Sequence, residues 1–399
     1  MKNIFLNSKS IIIATHVLYD NGGAQDLRQY ALGKKVDRLL FIGHPLQYDQ
    51  KLSGSGYEYY EKGERFFNKY YKIKQWPDIF CYIFSCLLNL WWTIKFSTGK
   101  QWNIYVGCNN LNAAAGVILK KMGYVKKVIY YTIDYNPKRF DNFWLNKIYH
   151  WIDAFSVNFA DETWNVSPRI SRARKHFFGL ECEKQKVVPT GVWLSKINRL
   201  KSSTDRGQTL VFMGGLIKKQ GIQYILYAIP KIAREIDSFR FKIIGEGPFL
   251  PELKNIIKEL KIEKFVKFLG YIEKVDEAKA ILSECALAAA FYEKYDEKRN
   301  LTYTYFADPG KVKLYLGCGL PILTTDVYVR AKEIERLKCG QIVKTNPEEI
   351  AQAVIGLLKN EKIIGEYREN ATAYARKFDW NKIFNKALSN CDDKNRQSI

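Results

Sequence analysis

Short apolar runs of four to six residues recur along the chain, separated by longer stretches in which apolar side chains return every three or four positions. A strand covered on both faces reads as a continuous apolar run, and the helices that cover it show a 3.6-residue period. The alternation therefore predicts parallel α/β layers. In the first half the predicted strands are 10–14, 38–42, 104–107, 127–132, 162–166 and 186–188, with helices including 24–32 and 112–121. The loop Asp20-Asn21-Gly22-Gly23 follows the first strand and opens a helix.

A polar stretch, 196–208 (KINRLKSSTDRGQ), reads as a linker. A second series follows, with strands 209–213, 240–244, 266–268, 286–290, 321–324 and 341–343. Its helices are 222–235, 251–260, 276–283, 310–317, 347–359 and a last run, 361–388. The expected fold class is α/β, with two Rossmann-like doubly wound domains facing across a cleft: 1–195 and 209–375, with 376–399 as a final helix and tail. Such folds bind ligands beyond the carboxyl ends of their strands.

Charge sharpens the picture. The net charge is +22, and residues 1–200 hold 29 basic against 15 acidic residues, so the excess leans toward the first half. A field of this sign attracts anionic headgroups, phosphorylated substrates or nucleic acid. No zinc-finger spacing, zipper heptad or ribonucleoprotein motif is present, which argues against nucleic acid. Eight cysteines without a C-x-x-C pair and four scattered histidines spell out no metal site and read as reduced thiols of a cytoplasmic protein. No N-terminal apolar run with a cleavage site is seen.

The uncharged segment 79–94 (IFCYIFSCLLNLWWTI) is too short to span a bilayer and reads as a core helix or an interfacial one, flanked by Lys72, Lys74, Lys95 and Lys100. The run Arg169, Arg172, Arg174 and Lys175 is spaced like one basic helix face, either a headgroup-binding surface or a solvated one.

Three glycine turns sit at strand ends of the second domain. They are Gly214-Gly215 with Lys218 and Lys219, Gly245-Glu246-Gly247, and Asp308-Pro309-Gly310-Lys311 ahead of the helix KVKLYLGCG. Glycine lets backbone N–H groups approach a phosphate, and a following helix adds its positive end. Together they point to a diphosphate site.

With these residues in view, the second domain resembles the donor-binding half of GT-B glycosyltransferases of family 4. The matching runs are TLVFMGGLIKKQGIQYILYAIPKI, FKIIGEGPFLPELKNIIKEL, VKFLGYI, KVKLYLGCGLPILTTDV, NPEEIAQAVIGLLKN and NATAYARKFDWNKIFNKAL, spanning 209–388. The first half is similar more thinly, through YDNGGAQDLRQYAL, DETWNVSP and VVPTGVW.

The resemblance implies retaining transfer from a nucleoside-diphosphate sugar to a glycan or polyprenyl-diphosphate-linked acceptor, with no metal and no other cofactor. The donor would bind the second domain, and the last helix would cross back to the first. The sequence contains no D-x-D, so fixed cations and backbone amides would have to neutralise the leaving group. On the donor side the expected residues are Gly214, Gly215, Lys218, Lys219, Gly245, Glu246, Asp308, Pro309, Gly310 and Lys311. On the acceptor or sugar side they are Gly22, Gly23 and Arg139, with His16 and Asp134 as candidate catalytic groups. Asp134 could orient or deprotonate an acceptor hydroxyl.

The chain departs from the family pattern. Gly215 stands where an Arg is usual, Gln220 where a Lys is usual, and Phe306 and Leu314 where paired glutamates hold sugar and ribose. Asp308, with Gly310 and Lys311, is the expected substitute, and Glu293 and Glu297 are the alternatives. A Pro-x-Lys element like Pro309-Gly310-Lys311 is similar to that of membrane-polysaccharide branches. A catalytically silent sugar-nucleotide-binding scaffold stays open beside the enzyme reading.

Overall fold

The structure is a computed structural model, and it describes residues 8–16, 22–44, 54–72, 78–197 and 206–389, without the side chains of 72 and 78–80. The chain forms two compact units: one runs to Pro189 and takes in the chain from Ala387, and the other is Thr190–Lys386. Residues 190–197 thus belong with the second unit rather than the first, and most of the expected linker, 198–205, lies outside the described residues.

The strands of the first unit are β1 (Ser10–Thr15), β2 (Arg38–Gly43), β3 (Gly54–Glu61), β4 (Glu64–Lys72), β5 (Trp102–Cys108), β6 (Val125–Thr132), β7 (Glu162–Asn165) and β8 (Gln185–Val187). They form one sheet, ordered β4-β3-β2-β1-β5-β6-β7-β8. All but the β3–β4 hairpin are parallel, with Thr15 level with Cys108 and with Gly43. The helices are α1 (Gly23–Gly33), α2 (Asp78–Lys95), α3 (Asn110–Lys121), α4 (Phe143–Phe159) and α5 (Pro168–Phe178). The chain winds from β1 to β2 on one side and to β5 on the other. The carboxyl ends of β1 and β5 are therefore a switch point, where a crevice opens.

The hairpin was not expected from the sequence. Its strands are aromatic on both faces, so no period-2 signal emerges, yet Lys62 and Gly63 both have positive φ (47° and 93°) and form the two-residue turn of a tight hairpin. Helix α4 falls between two expected strands without bounds given from the sequence; Asn142 caps it by accepting from the N–H groups of Trp144 and Leu145.

The second unit holds β9 (Thr209–Met213), β10 (Arg240–Ile244), β11 (Val266–Gly270), β12 (Leu287–Ala290), β13 (Ile322–Thr324) and β14 (Gly340–Ile342). All are parallel, in the order β11-β10-β9-β12-β13-β14. Its helices are α6 (Ile222–Glu235), α7 (Leu250–Glu259), α8 (Val275–Ser283), the single turn α9 (Tyr303–Phe306), α10 (Gly310–Gly317), α11 (Ala331–Arg336), α12 (Pro347–Leu358), α13 (Glu361–Ala375) and α14 (Trp380–Ser389). Ile222, Ile225, Leu226, Ile229 and Ile232 form the buried stripe of α6, which packs beside α12.

The helix expected over 361–388 is two helices. Asp379 is extended and its carboxylate accepts the N–H of Asn381, which restarts the helix after a 3₁₀ turn. Here the switch point lies between β9 and β12.

Candidate functional site

The turns after β9 and β10 are locked to each other through their backbones. The Gly214 N–H donates to the Ile244 carbonyl (3.0 Å), the Leu216 N–H to that of Glu246 (2.9 Å), and the Gly245 N–H to that of Gly270 (2.8 Å). A Cβ on Gly245, where φ is +134°, would lie 2.0 Å from the Gly214 carbonyl oxygen. Gly245 is therefore required by backbone approach, and the N–H groups of Gly214 and Gly245 are already used. This corrects the expectation that both would donate to a phosphate. Gly245→Ala is expected to cost at least about 2 kcal/mol, from strain at a left-handed position plus the backbone clash, read as a lowered midpoint in thermal unfolding.

Gly215 is exposed with open space around its α-carbon, and its N–H has no partner among the described residues. Nearby, α10 begins at Gly310 with Pro309 as N-cap and no side-chain cap, so the first-turn N–H groups of Gly310 and Lys311 stay open. Tyr315, one turn on, fixes this helix to the end of β9 by accepting the Met213 N–H (2.7 Å).

Lys311 lies on the same face of α10 as Tyr315, four residues away. Its ammonium stands over the rings of Phe212 (4.4 Å) and Tyr292 (4.8 Å) and donates to Gln220 Oε1 (2.6 Å). Among the described residues no carboxylate pairs with it, and burial pushes its pKa down to about 7. A cation held among aromatic rings and one amide oxygen, beside two open helix N–H groups, is arranged to receive an anion.

Gln220 stands where the resembled family carries a lysine, so the positive charge reaches that place from a different element. Tyr292, just after β12, was not foreseen; its hydroxyl is buried without a partner among the described residues. The only sequence sign of it is the aromatic pair that ends the alanine-rich strand. Lys219 lies over the Tyr303 ring (4.4 Å), and exposed Lys218 pairs loosely with Glu297 (3.4 Å). Glu293 accepts from the Tyr224 hydroxyl (3.2 Å), and Glu246 is exposed.

Asp308 is a correction. Its side chain is fully buried, with Oδ1 2.5 Å from Lys313 Nζ and 3.5 Å from Arg330 Nε, while Oδ2 accepts the Thr190 N–H (3.2 Å). The carboxylate ties α10 to the start of this unit and is not presented to a ligand, so it does not replace the missing glutamates. Phe306 is buried.

In the first unit, Gly22 caps α1 at φ +124°, with no side-chain cap, and Gly23 is the first helical residue. A Cβ on Gly23 would lie 3.0 Å from the Tyr131 and Ile133 side chains. Asp20 lies outside the described residues. His16 directly follows β1 and is buried; burial and neighbouring His44 push its pKa down to about 3. Its Nδ1 faces the side-chain amide nitrogens of Asn109 (2.6 Å) and Asn112 (3.0 Å). With that lone pair taken, His16 is not a free base at neutral pH.

Asp134 lies past the end of β6, exposed, and pairs with Arg139 at 2.5 Å. The structure thus joins one candidate catalytic group to one acceptor-side residue. The basic run on α5 is split. Arg174 is fully buried, bidentate to Asp153 (2.8 Å through both Nε and Nη2) and bonded to Asn165 and Thr132, whereas Arg172 and Lys175 are exposed. Arg174 is therefore a core cation rather than part of a binding face. Its pattern gave no warning, because burial depends on Asp153, one helix away.

Residues 207–360 match the family model described as glycosyl transferases group 1. The alpha-monoglucosyldiacylglycerol synthase of Streptococcus pneumoniae is 30% identical over 138 residues, 30% of each chain. The exopolysaccharide phosphotransferase of Streptomyces coelicolor is 24% identical over 201 residues, 48% of this chain and 20% of that protein. The chain thus spans less than a third of the length of these two curated relatives. The crystal structure of Anabaena HepE in complex with UDP superposes with a TM-score of 0.68 at 16% identity, covering 96% of this chain and all of that one. The chain has a GT-B fold, carries a group 1 glycosyltransferase domain in its second unit, and resembles the glycosyltransferases of family 4.

Proposed function

We propose that this chain transfers a sugar from a nucleoside-diphosphate sugar to a glycan or lipid-linked acceptor, with retention and without a divalent cation. The observation that carries the reading is Lys311, a cation with no carboxylate partner beside the open N–H groups of Gly215, Gly310 and Lys311. A fixed ammonium and aligned amides can stabilise a departing diphosphate with little reorganisation. The S. pneumoniae relative is named for an α-linked product, which fits retention from an α-configured donor. Asp134, paired with Arg139, would orient the acceptor hydroxyl.

Incubation with UDP-glucose, UDP-N-acetylglucosamine and GDP-mannose, with release of nucleoside diphosphate as readout, tests the reading. Product anomers would be assigned by NMR. The absence of both turnover and binding with every donor sinks it. Binding without turnover would instead favour the silent scaffold, for which the apolar Phe306 and Leu314 speak.

The acceptor reading extends to a membrane surface. Helix α2 buries Trp92 together with Ser85, Asn89 and Thr93, while Ile83, Leu87 and Trp91 (64% exposed) face outward. Helix α3 packs between α2 and α4, and exposed Met122, Trp144 and Trp151 (69%) extend the apolar surface. Apart from Asp78, whose side chain is not described, the only carboxylate on these helices is Asp153, buried on Arg174. Exposed Lys95, Lys121 and Lys147, and half-buried Lys120 paired with Asp161, are the charges that remain. Among the described residues no helix is long and apolar enough to cross a membrane.

An apolar face with a basic fringe fits the headgroup region of an anionic bilayer at the inner face of the plasma membrane. Flotation with phosphatidylglycerol vesicles is expected to carry the protein, and Trp91→Gln with Trp151→Gln to reduce binding at least about tenfold. Equal flotation by the variant would remove this face from the account.

A further inference from the structure

The polar side of α2 leads to an assignment at the carboxyl ends of β1 and β5. Five buried side chains and one half-buried one, Asn109, connect there, and the direction of every hydrogen bond can be deduced. Asn109 is the N-cap of α3, and its Oδ1 accepts the backbone N–H of Asn112 (2.9 Å). A backbone N–H can only donate, so the amide orientation of Asn109 is fixed. Its Nδ2 must then face His16 Nδ1 at 2.6 Å, and two donors cannot face each other. His16 Nδ1 therefore carries no proton.

The rest follows in sequence. Asn112 Nδ2 also donates to His16 Nδ1 (3.0 Å), leaving Asn112 Oδ1 to accept from Asn89 Nδ2 (2.7 Å). Asn89 Oδ1 then accepts from His44 Nε2 (3.1 Å), and His44 Nδ1 accepts from the Ser55 hydroxyl (2.9 Å). Every link is satisfied except the last. His16 Nε2 must hold the ring's proton, and it is buried with no partner among the described residues. An unmet buried donor costs about 1–3 kcal/mol, and native structures rarely keep one without a use.

We propose that His16 is a fixed, neutral N–H donor awaiting a sugar oxygen, and that Asn109, Asn112, Asn89, His44 and Ser55 are positioning residues that lock its tautomer. The assignment of a sugar oxygen rests on the glycosyl-transfer reading; the tautomer lock does not. The role excludes proton abstraction by His16 and gives buried Asn89, on the inner side of α2, its purpose.

The test is long-range ¹H–¹⁵N correlation NMR on ¹⁵N-labelled protein, tractable because the chain has four histidines, with His16→Gln identifying the signal. The expected result is an Nε2-protonated neutral ring that does not titrate between pH 5.5 and 8; the titratable rings facing it are His44 at 5.2 Å and Tyr82 at 5.7 Å, and His44 is expected to be equally silent. Asn112→Asp keeps the shape but replaces a donor by an acceptor, so it is expected to move the proton to Nδ1 or charge the ring. An Nδ1-protonated or charged His16 in the wild type overturns the lock.

UDP-glucose, UDP-N-acetylglucosamine and GDP-mannose are then titrated beside UDP and GDP. A downfield shift of the Nε2 proton with a sugar nucleotide but not its diphosphate supports the sugar oxygen, and Asn112→Asp is expected to weaken that donor about tenfold. An equal shift with UDP or GDP alone assigns a phosphate oxygen instead and overturns the sugar. No shift with any of them overturns the ligand role, even if the lock holds. An absence of turnover beside an intact lock counts against the enzyme reading alone.

Discussion

Replacing Lys311 by Met is expected to weaken nucleotide-sugar binding about ten- to a hundredfold by calorimetry, the loss of a charge-assisted contact of about 1.5–3 kcal/mol. The pH dependence makes the test specific. The ammonium titrates near 7 in the free protein, while the diphosphate of a nucleotide sugar has no proton to lose in that range. Binding the anion requires the charged amine, so above about pH 7 each complex formed must take up a proton. Affinity then falls by up to tenfold per pH unit. The Met variant loses that slope.

Stability moves the other way. A lysine whose folded pKa lies below its unfolded one is penalised fully below about pH 7, and the penalty fades as pH rises toward 10.5. The Met variant is therefore expected to be more heat-stable than wild type at pH 6, with a gap that closes in alkali. A variant with unchanged affinity and unchanged slope would remove Lys311 from the site.

Asp308→Ala is expected to do the opposite: destabilise by about 3–5 kcal/mol, because it strands Lys313 as an unpaired buried charge. Lys313 is fully buried against the Phe378 ring, 4.7 Å from its centroid, and cannot reach water without disturbing α10. Urea unfolding followed by circular dichroism is expected to shift to lower denaturant. The double change Asp308→Leu with Lys313→Met restores part of the loss, since it leaves no unpaired lysine charge behind, while the Thr190 N–H and Arg330 still lose their acceptor. Nucleotide-sugar affinity of the folded Asp308→Ala protein is expected to stay within about threefold of wild type, as for a residue that does not touch the ligand. Normal stability with lost affinity would instead return Asp308 to the ribose.

These two residues also show what the sequence could disclose. Both lie in one turn, Asp308-Pro309-Gly310-Lys311; the helix after it starts at Gly310 as expected, but the turn follows the single-turn α9 rather than a strand end. The pattern could not tell which of its two charged groups faces outward. That depends on Lys313, Arg330 and the Thr190 amide, the last more than a hundred residues away.

Parallel strands buried on both faces, such as β1 and β9, were legible because burial writes itself as uninterrupted apolar runs. The β3–β4 hairpin was not, because aromatic residues occupy both of its faces. Gly214 and Gly245 were found as glycines but misjudged as donors, since their use by Ile244 and Gly270 is a matter of sheet register. His16 was found as a polar group at a strand end, yet its role follows from Asn109, Asn112 and Asn89, which share no motif with it.

Crystals of the protein soaked with UDP-glucose in EDTA put the central claim most directly to the test. The account predicts the diphosphate at the ends of β9 and β12. Its oxygens would lie within hydrogen-bond reach of Lys311 Nζ and the N–H groups of Gly215, Gly310 and Lys311, with no cation between them. A diphosphate seated elsewhere, or one that appears only when magnesium bridges it to the protein, would contradict that claim.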